Sequence, residues 1–274
     1  MSTTPPPLPP LPSAMRPRPR LGQLPLLLLA LSAPLWLHTV EPGLFLALNA
    51  LCAPLPALLW MGLSLGGNAW GVLGLTAPLL VLNPRLLWAW LCAAPFAMAF
   101  ARLGKGLIES PRPAAVLDNT QIRIVGEALH VVSMPSGHTL TAFAVATSIY
   151  LALPTPGRRR HLWLFVLAAA VGLSRIAVGA HWPGDVAVGA CLGLWAGLLG
   201  QGLLARLTAA QLQPTSWGLR LVALLLVLAA YNLAAEGLDF AQAQPLQYAL
   251  VALIALSLLA FGWQNRVAGR AGSQ

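Results

Sequence analysis

A succession of apolar segments, each close to the length of a bilayer crossing, constrains this chain more than any other feature. Hydrophobic residues fill 58% of its 274 positions and charged residues only 8%, against roughly a quarter charged in ordinary soluble domains. A helix needs about 20 apolar residues to cross hydrocarbon. With no water there, backbone polar groups must pair within the segment. The expected fold class is therefore all-α, a polytopic membrane bundle of about eight transmembrane helices.

Residues 1–20 are rich in proline and carry Arg16, Arg18 and Arg20. Proline at that density prevents regular helix and favours extended chain, so a disordered cytoplasmic tail is expected. The basic patch followed by Leu24–Leu37 has the layout of a signal peptide. No clear small-x-small cleavage site follows, so the segment reads as an uncleaved first span over 21–39. Residues 43–66 are apolar but broken by Pro54 and Pro56, which suits a helix or helix pair at the outer surface. Further spans are expected at about 69–83, 86–104, 138–154, 162–180, 183–205, 219–236 and 246–263. The chain thus divides into the tail 1–20, a core over 21–206, two additional helices within 207–263, and a short basic tail 264–274.

Eleven of the 16 basic residues fall on the side of the tails, Arg85, Arg158, Arg159, Arg160 and Arg206 among them. Only Arg102, Lys105, Arg112, Arg123 and Arg175 fall on the other side. Loops rich in Lys and Arg stay in the cytoplasm, which places both tails there and the chain in the cell (inner) membrane. All seven acidic residues land outside. The net charge of +9 sits in short clusters between apolar runs, so no nucleic-acid partner is expected. Cys52, Cys92 and Cys191 lie in apolar contexts without Cys-x2-Cys spacing and read as small buried hydrophobes. No cluster with metal-ligand spacing occurs, and no metal is expected.

Three short polar clusters interrupt the apolar sequence between 105 and 185. They are Lys105-Gly-Leu-Ile-Glu-Ser-Pro-Arg112-Pro113, Pro135-Ser136-Gly137-His138, and Ser174-Arg175-Ile-Ala-Val-Gly-Ala-His181-Trp-Pro-Gly-Asp185. Under the span assignment all three reach the outer face, a convergence not used to place the spans. Lys105 offers a point charge, and Arg112 and Arg175 offer planar forks that bind two oxygens at once. Arg175 lies in an apolar stretch near a helix end, where a charge is costly without a partner; snorkelling to the interface is the alternative. Ser136 and Gly137 stand at a helix start, whose unpaired N–H groups and dipole suit a phosphate. An ordinary serine N-cap is the alternative there.

Read as Lys-x6-Arg-Pro, Pro-Ser-Gly-His and Ser-Arg-x5-His-x3-Asp, the set resembles the type-2 phosphatidic acid phosphatase and vanadium haloperoxidase superfamily, in its membrane lipid phosphatase branch. The resemblance covers about residues 40–206. It implies that His181 attacks phosphorus and becomes a phosphohistidine, that His138 protonates the leaving oxygen, and that Asp185 orients His181. Lys105, Arg112, Ser136, Gly137 and Arg175 would bind the phosphate and stabilise the five-coordinate phosphorus. It also implies that no metal or other cofactor is needed. Two further residues are candidate substrate contacts. Arg123, flanked by Ile122 and Ile124, is a fourth cation for a second phosphate, with pairing to Asp118 or Glu127 as the alternative. Trp182, beside His181, is a candidate wall of the site. His130 lies in the same loop, His38 reads as interfacial, and His161 belongs to the basic turn.

The expected function is that of an integral membrane lipid phosphatase acting at the extracytoplasmic face on a phospholipid or polyprenyl diphosphate in the bilayer. Undecaprenyl diphosphate is placed ahead of phosphatidylglycerol phosphate, phosphatidic acid and lipid A. A lipid phosphotransferase differs only in its acceptor. A non-catalytic membrane protein such as a transporter is disfavoured by the complete motif set and by the absence of a half-chain repeat. The last two spans lie outside the resemblance; packing, dimerisation into a homo-oligomer and a substrate groove are open roles for them.

Overall fold

The computed structural model describes residues 22–36 and 41–271. The tail 1–20, His38 and the last three residues lie outside the described residues. The helices are α1 (Gln23–Ser32, continued by a 3-10 turn to Trp36), α2 (Glu41–Cys52), α3 (Ala57–Leu65), α4 (Ala69–Thr76), α5 (Leu79–Leu82), α6 (Pro84–Leu107), α7 (Pro113–Val116), α8 (Gly137–Ala152), α9 (Trp163–Ala177), α10 (Pro183–Leu204), α11 (Trp217–Ala235) and α12 (Gln244–Ala271). No strand occurs among the described residues, and the all-α expectation holds.

Five segments are long and apolar enough to cross a membrane, and six if α2 and α3, bent by 112° at the Pro54–Pro56 break, count as one. Among the described residues, three of the eight expected spans do not form one unbroken helix of crossing length, and each breaks or stops beside a proline. α1 has only ten residues before its 3-10 turn. The 69–83 segment parts into α4 and α5 at Ala77 and Pro78, and α8 stops after 16 residues, just before Pro154.

α8 is the central element, packed by α6, α9 and α10. Its approach to α10 depends on glycines spaced about one turn apart. A Cβ on Gly189 would stand 2.7 Å from the Ser136 carbonyl oxygen, and one on Gly193 would overlap that of Leu140. Small residues at such a spacing let backbones close up in membrane bundles, where dispersion replaces the hydrophobic drive. α11 buries Leu219, Val222, Leu226, Ala229 and Leu233, a 3–4 spacing that forms one face. That face and Ile254 of α12 pack against Val72, Leu80, Leu87 and Trp90 of α4, α5 and α6. Leu224, Tyr231, Leu259 and Trp263 point outward and are exposed, as suits lipid-facing surface.

This connectivity collects the end of α6, the starts of α4, α8, α10 and α12, and the ends of α9 and α11 at one end of the bundle. Arg85, Arg158 to Arg160, Arg206 and Arg220 lie toward the other end, at or beyond the far termini of the same helices.

Candidate functional site

Lys105 occupies the last turn of α6. Gly104 beside it lies so near the start of α8 that a Cβ would stand 2.5 Å from Pro135 Cδ, so glycine is what lets the first two clusters touch. Arg112 is buried at the N-cap of α7. Its Nε donates to the Val131 carbonyl (2.7 Å) and its Nη1 to that of Ala180 (2.9 Å), tying the long loop to the residue before His181. A guanidinium has five N–H donors, so others are left for a ligand.

Arg175, in the last turn of α9, is 3% exposed, and its Nε and Nη1 have no hydrogen-bond partner. The Phe240 ring lies 5.8 Å from its Cζ. A buried cation with unmatched donors is a large desolvation cost that an arriving anion would relieve.

The link from α9 to α10 turns at Gly179, whose φ of +78° favours glycine. It delivers His181, which is 2% exposed. His181 Nδ1 is 3.2 Å from Asp185 Oδ2 and 3.3 Å from Ser133 Oγ. Ser133 Oγ also donates to Asp185 Oδ2, which takes a third bond from the Trp182 N–H at 2.9 Å. Burial pushes the His181 pKa down to about 4; the Asp185 hydrogen bond and charge oppose this, while Arg112 and Arg175 add to it. The ring is therefore neutral at neutral pH, with Nδ1 held and Nε2 left to react.

Ser136 caps α8. Its Oγ accepts from the Thr139 hydroxyl (2.9 Å) and, more weakly, from the Thr139 N–H (3.5 Å). Its own N–H is used on the Asp185 carbonyl at 3.0 Å, which joins the second cluster to the third. A Cβ on Gly137 would meet nothing within 4 Å, so the first turn of α8, with its unpaired N–H groups, faces open space. His138 Nε2 is 2.9 Å from Asp239 Oδ2, and Asn68 Nδ2 donates to the same oxygen at 3.1 Å. Gly67 supports the ring closely: a Cβ there would lie 2.7 Å from that of His138.

Lys105, Arg112, Ser136, Gly137, His138, Arg175, His181 and Asp185 thus gather at one end of the bundle. Two expected substrate contacts do not join them. Arg123 donates through Nη1 to the carbonyls of Cys52, Ala53 and Leu55, each at 3.0 Å. It ties the loop to the end of α2, where the Cys52 carbonyl also accepts from the Leu55 N–H and Trp60 Nε1, and pairs with neither Asp118 nor Glu127. Trp182 is fully buried, donating from Nε1 to the Pro111 carbonyl and meeting Phe45 edge-on. It packs behind His181 and offers no wall to a ligand. His130 is exposed on the loop. Sequence reasoning missed Ser133, Asn68 and Asp239; the available signal for Asp239 was an acid, with Glu236, in an otherwise apolar C-terminal stretch. Among the described residues no group of three or more His, Cys, Asp or Glu is placed to hold a metal.

Fold and site together define a helical membrane protein with a buried, anion-ready cluster at one end of its bundle. Residues 85–209 match the PAP2 superfamily, and the chain belongs to that family. It is 44% identical over 87 residues to the bacitracin transport permease protein BcrC of Bacillus licheniformis, which is 32% of this chain and 40% of that protein. It is 33% identical over 133 residues to a decaprenylphosphoryl-5-phosphoribose phosphatase of Mycobacterium tuberculosis, 47% of this chain and 68% of that one. The crystal structure of Aquifex aeolicus LpxE aligns with a TM-score of 0.52 and 26% identity, over 59% of this chain and 94% of that chain. The chain therefore spans less than half the length of the BcrC relative, and the family match ends before α11.

Proposed function

We propose that this protein is an integral membrane phosphatase that removes a phosphoryl group from a lipid phosphate or diphosphate, through a phosphohistidine, at the extracytoplasmic face. The observation that carries the reading is an apolar groove of about 320 Å³ beginning at Gly137 and His138 and reaching Trp90 between α6 and α8. From Ala101 to Trp90 it follows α6 for about 16 Å, at 1.5 Å per residue. A lipid phosphate over the first turn of α8 would leave its chain in this groove, with His138 beside the ester oxygen.

In this reading His181 Nε2 attacks phosphorus while Asp185 keeps the proton on Nδ1. Lys105, Arg112 and Arg175, with the α8 N-terminus, stabilise the charge on the five-coordinate phosphorus. His138 gives a proton to the departing oxygen, then takes one from the water that cleaves the phosphohistidine. Polyprenyl lipids rank first, with undecaprenyl diphosphate leading. The support is the long apolar groove and a relative named for a decaprenyl-linked phosphate. The second phosphate lends no support, because Arg123 is committed to α2. Phosphatidylglycerol phosphate, phosphatidic acid and lipid A follow.

The test is phosphate release by the purified protein from a panel of these lipids and from p-nitrophenyl phosphate. Wild type should release phosphate from a long-chain lipid, and His181→Ala should not. Ala101→Phe, filling the mouth of the groove, should raise KM for the long-chain lipid about tenfold, which is 1.4 kcal/mol, and leave the aryl phosphate nearly unchanged. No release from any lipid, or equal effects on both substrates, would refute the reading.

A further inference from the structure

The loop between α11 and α12 lies outside the segment that matches the family, yet it reaches His138 across 101 residues of sequence. Asp239 Oδ2 takes the Nε2 side of the ring at 2.9 Å and the Asn68 amide at 3.1 Å. The next residue, Phe240, is buried and lies 5.8 Å from Arg175 Cζ. Gly126 packs so near Phe240 that a Cβ there would stand 2.9 Å from Cδ1. Leu238 holds φ at +40°, a left-handed conformation that leucine rarely adopts and that persists only where surrounding contacts impose it. The loop is therefore built to present Asp239 to this histidine. Burial alone would push the Asp239 carboxyl up, but the hydrogen bond and charge of His138, the charge of Arg175 and the Asn68 amide together hold it well below the usual carboxylate range. It is an anion at every working pH.

We infer that Asp239 is a positioning residue of the reaction, holding His138 through Nε2–H so that Nδ1–H delivers the proton to the leaving oxygen. The inference rests on the phosphatase reading above. As the bond from His181 Nε2 to phosphorus forms, the bond from phosphorus to the lipid oxygen breaks, and the His138 Nδ1 proton moves to that oxygen. The ring is left neutral with Nε2–H still on Asp239, ready to take a proton from the incoming water. The charged groups around His138 are Arg175 from α9, Lys105 from α6 and Asp239. Burial and the two cations favour loss of the ring proton, and the single carboxylate opposes them.

The experiment compares wild type and Asp239→Asn on two soluble esters, a short alkyl phosphate and p-nitrophenyl phosphate, across pH. The alkyl oxygen needs a proton to leave; the nitrophenolate departs as an anion. General acids contribute about 100-fold or more, so kcat on the alkyl phosphate should fall about that much, against less than about threefold on the aryl phosphate. The basic limb of the alkyl-phosphate profile should move to lower pH, because the ring loses its counter-charge. Asn68→Ala, which removes the second anchor of Asp239 and keeps its charge, should give a smaller loss with the same dependence on leaving group, and it serves if Asp239→Asn does not fold. Equal losses on both esters with an unmoved pH limb would mean a merely structural loop and overturn the inference, as would no loss at all. Wild type active on both esters but on no lipid would refute the lipid reading and leave this inference standing. Wild type inactive on every ester would overturn both.

Discussion

His181 Nδ1 lies 3.2 Å from Oδ2 of Asp185, four residues later, and this contact sets which ring nitrogen the proposed reaction would use. Ser133 and the Trp182 N–H converge on the same carboxylate oxygen, so the acceptor cannot drift. Asp185→Asn preserves shape but offers an amide N–H as readily as an oxygen, which permits the wrong tautomer. Turnover should drop about 10³-fold or more, by analogy with other oriented histidines; initial rates on an aryl phosphate check it.

The same histidine predicts an acid-sensitive fold. Its folded pKa is near 4, below the ordinary 6.5, so the unfolded chain binds more protons between those values. Stability is then full above about pH 6.5 and is lost as pH falls toward 4, by about 3 kcal/mol at most for this one group. Thermal unfolding in detergent should show wild type losing more over that window than His181→Gln. Parallel curves would contradict the assignment.

Arg175 should behave as an empty anion socket. Its Nε and Nη1 are buried and unmatched, so an apolar chain of similar length removes a desolvation cost that the Asp239 charge offsets only in part. Arg175→Met should therefore melt at or above the wild-type temperature without ligand. Phosphate or vanadate at 100 times its Kd should stabilise wild type by about 2.7 kcal/mol and leave Arg175→Met unmoved. A variant that melts lower and still responds to the anion would refute this role.

The three clusters were legible because their residue types are out of place in hydrocarbon: Arg175 amid Leu173, Ile176 and Val178 cannot be there for packing. Asp239 was not legible, because a bond spanning 101 residues leaves no local pattern. Arg123 misled for the opposite reason. Its neighbours gave a local pattern, while its partners, the carbonyls ending α2, are 68 to 71 residues away. Helix positions came through well in α10, and in α6 despite its internal Pro95. They came through poorly at Ala77 and Pro78, where periodicity runs on but the backbone hydrogen bond does not.

Arg123 makes a stability prediction in place of a specificity one. Its guanidinium donates to three carbonyls at and just beyond the end of α2, and bonds to charged donors contribute about 1.5–3 kcal/mol. Arg123→Ala should lower stability by about that amount. The ratio of kcat/KM between a diphosphate and a monophosphate of the same chain should stay within about twofold. A selective loss on the diphosphate would restore Arg123 as a substrate contact.

Orientation follows from the charges at the end of the bundle away from the site. Arg85, Arg158, Arg159, Arg160, Arg206 and Arg220 lie toward that end, in or beside short connections. Arg158 also satisfies the last carbonyls of α8, donating to Leu151 and Leu153, and its guanidinium lies 5.6 Å from the Tyr150 ring centre. Arg159 and Arg160 are left to the aqueous edge. Short loops carrying this many arginines are retained in the cytoplasm, and the proposed orientation therefore has the cluster around His181 at the opposite face. A reporter fused after Arg160 should register the cytoplasm and one placed within residues 114–130 the outside. Impermeant thiol labelling of a cysteine introduced at Asn119 in intact cells should agree. Labelling only after lysis, with both reporters cytoplasmic, would place the site inside and remove the extracytoplasmic part of the proposal.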